Sequence, residues 1–239
     1  MHPFRRVLQT LGFDVHRYHK ASRPFAQFTG LGIQTIIDVG ANVGQFAKEI
    51  RTLLPDAEIH SFEPLPDCYE KLRKSMAGDP KFSAYPFALG DTSSNTTINR
   101  SDYSLSSSLR PMAEAHKKLF PHTAGQTTEE IRVERLDDAL AGKELASRIL
   151  LKIDAQGYED KVLAGGSSTL SKSDVALLEA SFVELYEGQP LFEDIYALMH
   201  DAGFVYRGAL QQKIDAKTGK VLFEDALFLR KNTVELSTK

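Results

Sequence analysis

The chain has 239 residues, of which 42% are hydrophobic and 26% are charged, a composition typical of a soluble globular protein. Its formal net charge is -3, so no overall positive field is available to attract nucleic acid or an anionic membrane. Cys68 is the single cysteine, which excludes an internal disulfide and fits a reducing compartment. We expect a cytoplasmic protein with no nucleic-acid partner, and assembly into a homo-oligomer stays open.

The N-terminal segment "MHPFRRVLQTLGFDVHRYHK" is basic and partly apolar. It lacks the continuous apolar stretch and the small-residue cleavage site of a signal peptide. No apolar run in the chain approaches the roughly 20 residues that cross a bilayer, so no integral membrane segment is predicted. We interpret residues 1–32 as an amphipathic helical extension packed on the domain. The alternative is a helix that lies on a membrane surface.

Short apolar segments alternate with helical patterns over the predicted domain, residues 33–232. The predicted strands are "TIIDVG", "EIHSFEP", "FSAYPFALG", "RILLKIDA" and "VALLEASF", and helices such as "VGQFAKEIRTLL" lie between them. These βαβ units predict an α/β fold with a mostly parallel sheet and helices on both faces. The last apolar segments, "FVYRGALQQKID" and "VLFEDALFLR", flank a turn at "KTGK". They predict a C-terminal hairpin that adds an antiparallel strand at one edge.

Residues 91–126 interrupt this alternation with a segment rich in Ser, Thr and Asn that has little apolar periodicity. A linker would have this composition, but a long irregular insert within an α/β series is more often a functional loop. The segment "EEIRVERLDDAL" then predicts an additional strand and a short helix. We therefore expect the insert to contact a ligand or substrate.

The first strand-to-helix turn, "DVGANVGQF", begins with Asp38 and contains Gly40 and Gly44. Glycines let the backbone pass close to a ligand, and the N-terminus of the following helix offers free N–H groups. The alternative is simple packing of the strand against the helix. An acid at Asp38 would repel a pyrophosphate, whereas it suits a cationic ligand or an ammonium group.

Two further acids follow the ends of predicted strands. Glu63, in front of Pro64, is placed to accept hydrogen bonds from the ribose hydroxyls of a nucleoside cofactor, and its alternative role is a solvated residue. Asp154 ends the apolar strand "ILLKIDA". Ligands of open α/β sheets bind outside the carboxyl ends of the strands, so these acids and Asp38 are expected at one edge. Three acids there predict a cofactor that carries positive charge.

The ordered motifs "DVGANVGQF", "FEPLPDCYEKLRK", "FALGD", "SSSL", "LLKIDAQGYE" and "VELYEGQPLFEDI" resemble the FkbM family of S-adenosylmethionine-dependent O-methyltransferases. The resemblance runs over residues 33–230. It implies a class I methyltransferase fold, a Rossmann-like seven-stranded sheet whose last strand is inserted antiparallel. It also implies transfer of a methyl group to a hydroxyl, commonly on a sugar of a glycan or on a natural product.

The resemblance also implies roles for single residues of the cofactor site, to which Gly44 and Pro64 are added as neighbours in the same turns. Relatives often carry Glu where this chain has Gln156, so no metal site is predicted. The implied residues are Asp38, Gly40, Ala41 and Asn42 around the methionine part of S-adenosylmethionine, Glu63 at the ribose, Ala88 and Leu89 near the adenine, and Asp154 beside the methionine part and the incoming hydroxyl.

A general base assists attack by an alcohol, and several side chains are candidates. Asp154 is preferred by position, although it would be less free to act if it held the cofactor amine. His116 and His122 lie in the insert, where His116 has a structural role as its alternative, and Glu184 follows a strand end. The serines of the insert are candidates for contact with the acceptor or cofactor, with a flexible polar loop as the alternative: Ser106, Ser107 and Ser108.

Three other functions share parts of this pattern. An NAD(P)-dependent oxidoreductase normally has G-x-G-x-x-G, whereas the middle glycine is absent here. A nucleic-acid methyltransferase that acts on base amines often has two prolines and an aromatic residue after the fourth strand, where this chain has "DAQG". A methyltransferase-like binding module without activity is the third alternative. The retained acids favour an active enzyme.

Overall fold

The computed structural model describes residues 25–234. Most of the predicted N-terminal helical extension, residues 1–24, therefore lies outside the described residues. A 3-10 helix, Ala26–Gly30, buries Phe28 completely. Phe25 packs edge-on against Phe46 with the ring centroids 5.1 Å apart. These aromatic contacts join the segment before the first strand to the first α-helix of the domain.

Ten strands and eight α-helices lie within the described residues, and they alternate largely in the predicted order. The strands are β1 Thr35–Val39, β2 Glu58–Phe62, β3 Phe82–Tyr85, β4 Ala88–Gly90, β5 Ser94–Ser101, β6 Gln126–Arg135, β7 Ile149–Ile153, β8 Ser173–Ser181, β9 Phe204–Ile214 and β10 Val221–Arg230. The helices are α1 Gln45–Leu53, α2 Pro66–Ser75, α3 Glu114–Leu119, α4 Leu136–Ala139, α5 Glu159–Gly165, α6 Ser167–Lys172, α7 Phe192–Asp201 and α8 Lys231–Val234.

The large sheet has seven strands in the order β3-β2-β1-β7-β8-β10-β9. Its first five strands are parallel, and β10 is antiparallel to both β8 and β9. The terminal hairpin is confirmed. The prediction that its antiparallel strand lies at the edge of the sheet is wrong, because the antiparallel strand β10 is inserted between β8 and β9. The run of buried residues in β10 suits an inner strand, whereas the more polar β9 suits the edge. This is the class I methyltransferase sheet, so the predicted fold class is confirmed.

Both faces of the large sheet are covered, as predicted, because successive side chains of a strand point to opposite faces. Ile36 of β1 packs in one apolar cluster with Ala47 and Ile50 of α1. Its neighbour Ile37 belongs to a second cluster, which includes Val162 of α5 and Ile195 of α7. Ile50 is fully buried, and burial of a side chain of this size stabilises the fold by about 1.5–3 kcal/mol.

A second sheet has three strands in the order β4-β6-β5. We predicted "FSAYPFALG" as one strand, but Pro86 divides it into β3 and β4 because proline has no N–H to continue the ladder. The predicted strand and short helix in "EEIRVERLDDAL" are confirmed as β6 and α4. The expectation that residues 91–126 are irregular is wrong for β5. Ile98 is the buried apolar residue of that otherwise polar strand, which pairs antiparallel with β6.

Candidate active site

The candidate site lies where the strand order reverses, between β1 and β7. From β1 the chain builds β2 and β3 on one side, and it later returns to place β7 on the other. Val39 and Ile153 are register partners at the carboxyl ends of these two strands. Open α/β sheets bind ligands at this point, because the loops leave in opposite directions and open a crevice.

Two adjoining cavities occupy this crevice. The first, here called the apolar cavity, has a volume of about 640 Å³ and is lined, among others, by Phe62, Glu63, Pro64, Ala88, Leu89 and Tyr158. The second, here called the acidic cavity, has a volume of about 760 Å³ and is lined, among others, by Phe46, Glu49, Lys152, Leu177, Glu179 and Asp225. Both cavities share four lining residues, namely Gly40, Asn42, Leu105 and Asp154.

The turn after β1 forms part of the wall between the cavities. Gly40 and Asn42 have φ angles of 72° and 47°, in the left-handed region that favours glycine. A Cβ atom on Gly40 would lie 1.9 Å from the carbonyl oxygen of Asp154, so glycine is required for β1 and β7 to approach at this point. Ala41 lines the acidic cavity. Gly44 lines neither cavity, and a Cβ on it would meet Ser75 and Leu72 of α2.

Glu63 is 5% exposed and follows the end of β2 in the apolar cavity. Its Oε2 accepts a hydrogen bond from the backbone N–H of Asn42, and its Oε1 accepts one from that of Leu65, both at 2.9 Å. Burial raises the pKa of Glu63 to about 7, even though these two donors oppose the shift. A carboxylate oxygen has more than one acceptor site, so each oxygen is able to accept a further hydrogen bond from a ligand.

Asp38 does not line either cavity and is completely buried. Its Oδ2 accepts a hydrogen bond from Ser61 Oγ at 3.0 Å, and its Oδ1 lies 3.1 Å from Lys152 Nζ. The same Nζ donates to the backbone carbonyl of Gly40 at 3.0 Å. Burial opposes the charge of Lys152, but Asp38 and Asp154 attract it and the pKa of the amine is raised. Asp38 therefore anchors a cation that supports the turn.

The acidic cavity contains an excess of carboxylates. Among its described lining residues, Glu49, Asp154, Glu179 and Asp225 are acids, and Lys152 is the one cationic side chain. Glu179 and Asp225 are register partners on β8 and β10. Burial, and then repulsion from Asp154, raises the pKa of Asp225 to about 6 and that of Glu179 well above its ordinary value. A positively charged ligand would relieve this repulsion.

The insert folds over the turn after β1. Asn42 Nδ2 donates to Ser104 Oγ at 3.0 Å, and Leu105 reaches both cavities. Ser107 lines the apolar cavity and its Oγ accepts a hydrogen bond from the backbone N–H of Ser101. Ser106 is buried and lines neither cavity. Of the two predicted substrate serines, the structure thus brings Ser107 to the site.

The other candidate bases lie outside both cavities. His116 is buried in α3, and its Nε2 forms a hydrogen bond with Thr123 Oγ1 at 2.9 Å. Burial lowers its pKa to about 4. His122 is exposed, and Glu184 is exposed and accepts a hydrogen bond from the backbone N–H of Gly188. Asp154 is the candidate base that the structure places at the shared wall.

Our sequence-based site lacked the charged side chains Lys152, Glu179 and Asp225. Lys152 and Glu179 each interrupt an otherwise apolar strand, in "ILLKIDA" and "VALLEASF". Because a buried charge requires a partner, these interruptions were the available signal. Within residues 25–234, no three His, Cys, Asp or Glu side chains lie close enough together to hold a metal ion. In that range, no helix combines the length and apolar composition needed to span a bilayer.

Comparison with known proteins places the chain in a family. The model described as "Methyltransferase FkbM domain" matches residues 38–206. The 2-O-methyltransferase NoeI of Sinorhizobium fredii is 33% identical over 162 residues, which cover 64% of this chain and 66%, just under two thirds, of that protein.

Two further relatives match over a longer part of the chain. The methyltransferase sdnD of Sordaria araneosa is 30% identical over 215 residues, covering 80% of this chain and 79% of its own length. The 31-O-demethyl-FK506 methyltransferase FkbM of Streptomyces tacrolimicus is 27% identical over 205 residues, covering 71% and 72%. The family model extends from the end of β1 into β9 and thus includes both strand ends of the candidate site. The chain belongs to the FkbM-domain family of methyltransferases.

Proposed function

We propose that this protein transfers the methyl group of S-adenosylmethionine to a hydroxyl of a sugar, a glycan or a natural product. Family membership supports methyl transfer, and the names of two relatives, a 2-O-methyltransferase and a 31-O-demethyl-FK506 methyltransferase, support oxygen as the acceptor atom. The observation that carries the proposal is the position of Glu63 in an apolar cavity that shares Asp154 with a second, acidic cavity.

The apolar cavity suits the adenosine part of the cofactor. It is lined mainly by apolar side chains with a few polar groups among them, as is usual for small-ligand sites. Glu63 would accept hydrogen bonds from the two ribose hydroxyls with the acceptor sites that its backbone donors leave open. Ala88 and Leu89 of β4 would contact the adenine, and Tyr158 lines the same cavity.

The acidic cavity and the shared wall suit the positively charged part of the cofactor. Gly40, Ala41 and Asn42 would surround the methionine portion, and the carboxylates of Asp154 and Glu179 would offset its positive charge. The structure changes the role that we assign to Asp38. It is committed to Lys152 and Ser61, so we propose that it holds the turn in place and that Asp154 makes the charge contact.

The bound cofactor supplies an electrophilic methyl group, so the protein chiefly needs to align the acceptor oxygen and remove its proton. Asp154 would accept the hydroxyl proton as the new O–CH₃ bond forms and the S–CH₃ bond breaks. Its carboxylate lines both cavities and is about 30% exposed, which leaves it within reach of an acceptor. Ser107 and Leu105 of the insert, which folds over the turn after β1, would contact the acceptor or the cofactor.

Calorimetry and turnover test the proposal in two steps. S-adenosylhomocysteine should bind the wild-type protein, and Glu63→Ala should weaken that binding. Turnover is then followed by release of S-adenosylhomocysteine on a panel of methyl glycosides and 31-O-demethyl-FK506. An acceptor that gains one methyl group identifies the substrate class. Failure of the wild-type protein to bind S-adenosylhomocysteine would contradict the proposal, and an unchanged rate in Asp154→Asn would remove Asp154 as the base.

A further inference from the structure

Gln156 lies between two carboxylates at the wall that the cavities share. Its Nε2 donates a hydrogen bond to Asp154 Oδ1 at 2.7 Å and a second one to Glu179 Oε2 at 2.9 Å. One amide nitrogen thus bridges the carboxylate that follows β7 and the carboxylate of β8, which would otherwise repel each other. Both protons of the NH₂ group are used in this way, so the amide oxygen of Gln156 has to point away from the two carboxylates.

Tyr186 determines that orientation. Its hydroxyl lies 2.7 Å from Gln156 Oε1 and 3.2 Å from the backbone oxygen of Ser106. A phenol has one proton, and the shorter contact indicates that it is donated to the amide oxygen. Tyr186 is 2% exposed, and burial raises the pKa of its hydroxyl above the usual range, so the hydroxyl remains a donor. The NH₂ group of Gln156 is thereby directed at the two carboxylates.

The surroundings of Tyr186 hold its ring in place. The ring of His116 packs against it edge-on, with the centroids 5.1 Å apart, and Thr123 fixes His116 through a hydrogen bond. A Cβ atom on Gly157 would lie 3.0 Å from the Cβ of Tyr186, so this glycine permits the close packing. His116, which we considered as a base, contacts the site through Tyr186.

The backbone of Gln156 shows the same constraint. Its φ angle is 52°, a left-handed conformation that a non-glycine residue adopts only when its surroundings impose it. Ser108 Oγ donates a hydrogen bond to the Gln156 carbonyl oxygen at 2.6 Å. The insert, the loop after β7, β8 and the loop that carries Tyr186 therefore all contact this one residue.

We propose that Gln156, oriented by Tyr186, is a positioning residue that holds the Asp154 carboxylate at the junction of the two cavities. The inference rests on the proposed function, in which Asp154 accepts the acceptor proton. Gln156 itself neither gains nor loses a proton in that step. Without the amide, Asp154 and Glu179 would repel each other, and Asp154 would turn toward Lys152, whose Nζ already lies 3.8 Å from Oδ2.

The first test observes the amide directly. In protein labelled with ¹⁵N-glutamine, the side-chain NH₂ signals of Gln156 are the pair missing from Gln156→Met. Tyr186→Phe removes one hydroxyl and keeps the ring, and it should speed hydrogen exchange of that NH₂ group by about tenfold, as expected for loss of one hydrogen bond. Tyr85→Phe is the matched control, because it removes a partly buried hydroxyl that contacts His60 outside both cavities. An unchanged exchange rate of the Gln156 NH₂ group in Tyr186→Phe would overturn the proposal.

The second test separates positioning from binding. Tyr186 lines neither cavity, so S-adenosylhomocysteine should bind Tyr186→Phe with the wild-type affinity. On the acceptor that the panel identifies, kcat should fall about tenfold while KM for S-adenosylmethionine stays constant. Tyr186→Phe should have no further effect in a Gln156→Met background, because both changes disrupt one path. Additive losses of kcat from the two substitutions would overturn the proposal. Failed cofactor binding by the wild-type protein would instead reject the proposed function and leave the exchange result unaffected.

Discussion

The apolar cavity and the acidic cavity share the turn after β1, but different parts of the structure build them. In the apolar cavity the single buried acid, Glu63, is held by two backbone N–H groups within a few residues of strand ends. In the acidic cavity, charged side chains of β7, the loop after it, β8 and β10 interact with one another, and Lys152 is the one cation among its described lining residues.

Under the proposed function, this difference separates a part of the site that would bind the cofactor from a part that would handle charge and proton transfer. Backbone donors do not depend on the identity of their side chains, so Glu63 is held by the backbone paths of two turns, the one after β1 at Asn42 and the one after β2 at Leu65. The position of the Asp154 carboxylate, by contrast, depends on Lys152, Gln156 and Glu179 together. Substitutions in the acidic cavity should therefore be coupled, and those around Glu63 should act independently.

The largest effect is expected for Asp38→Ala, which leaves Lys152 buried without its main partner. Removal of one member of a buried ion pair typically lowers the free energy of unfolding by about 3–5 kcal/mol. Urea denaturation measures the change. Asp56→Ala is the control, because Asp56 pairs with Lys81 at 3.4 Å with its side chain 96% exposed. A loss in Asp38→Ala as small as that in the control would show that the pair does not anchor the turn.

Gly40→Ala should disrupt the wall between the cavities, and Gly142→Ala is its matched control. Both glycines have a φ of 72°, so both substitutions incur the left-handed penalty of about 1–2 kcal/mol. A Cβ on Gly142 meets nothing within 4 Å, whereas one on Gly40 would meet the Asp154 carbonyl. Thermal unfolding should show an additional loss of about 1–3 kcal/mol for Gly40→Ala. Equal losses would mean that β1 and β7 are free to separate at this point.

Glu63→Ala should weaken binding of S-adenosylhomocysteine by about a hundredfold, because two hydrogen bonds to a charged group are lost. The control is Glu58→Ala at the start of β2, where the side chain is 50% exposed and lines neither cavity. Calorimetry on Asp225→Ala sharpens the comparison of the two cavities. A larger loss in Asp225→Ala than in Glu63→Ala would show that the acidic cavity, and not the ribose contact, dominates affinity.

The smallest expected effect is a dependence of that affinity on pH. Burial raises the pKa of Glu63 to about 7, and ribose hydroxyls donate to the ionised carboxylate. Binding should therefore favour the deprotonated form and release a proton near pH 7. The affinity should fall by about tenfold between pH 8 and pH 6. Calorimetry in two buffers of different ionisation enthalpy counts the protons. In Glu63→Gln the affinity should no longer change with pH through this group. If the affinity changes equally with pH in Glu63→Gln and in the wild-type protein, the dependence belongs to Asp225 and Glu179.

Much of the fold was predictable from the sequence because the parallel strands are buried on both faces. The segment "TIIDV" is buried at all five positions, and such a strand appears in the sequence as a short, nearly continuous apolar run. The acids Glu63 and Asp154 could be assigned to the same edge because the carboxyl ends of parallel strands meet there. The division at Pro86 and the polar strand β5 were not predicted, because β5 has little apolar periodicity and depends on its partner β6.

The charged pairs in and beside the acidic cavity could not be predicted from the sequence. Asp38 and Lys152 are 114 residues apart along the chain, and they meet because their positions are register partners on β1 and β7. Register depends on how whole strands pack, and a shift of one residue would turn Lys152 to the opposite face of the sheet. The same holds for Glu179 and Asp225, which the antiparallel insertion of β10 beside β8 brings together.

The sequence by itself determined the buried parallel strands of the large sheet, the glycine turn at Gly40 and the acid after β2, because each depends on local patterns of apolar residues and glycines. The tertiary structure decided which of the predicted acids Asp38, Glu63 and Asp154 faces a cavity. It committed Asp38 to Lys152, and it placed the Gln156 amide between Asp154 and Glu179. These contacts arise between strands that are distant along the chain, where the physical determinant is the register and face of each strand.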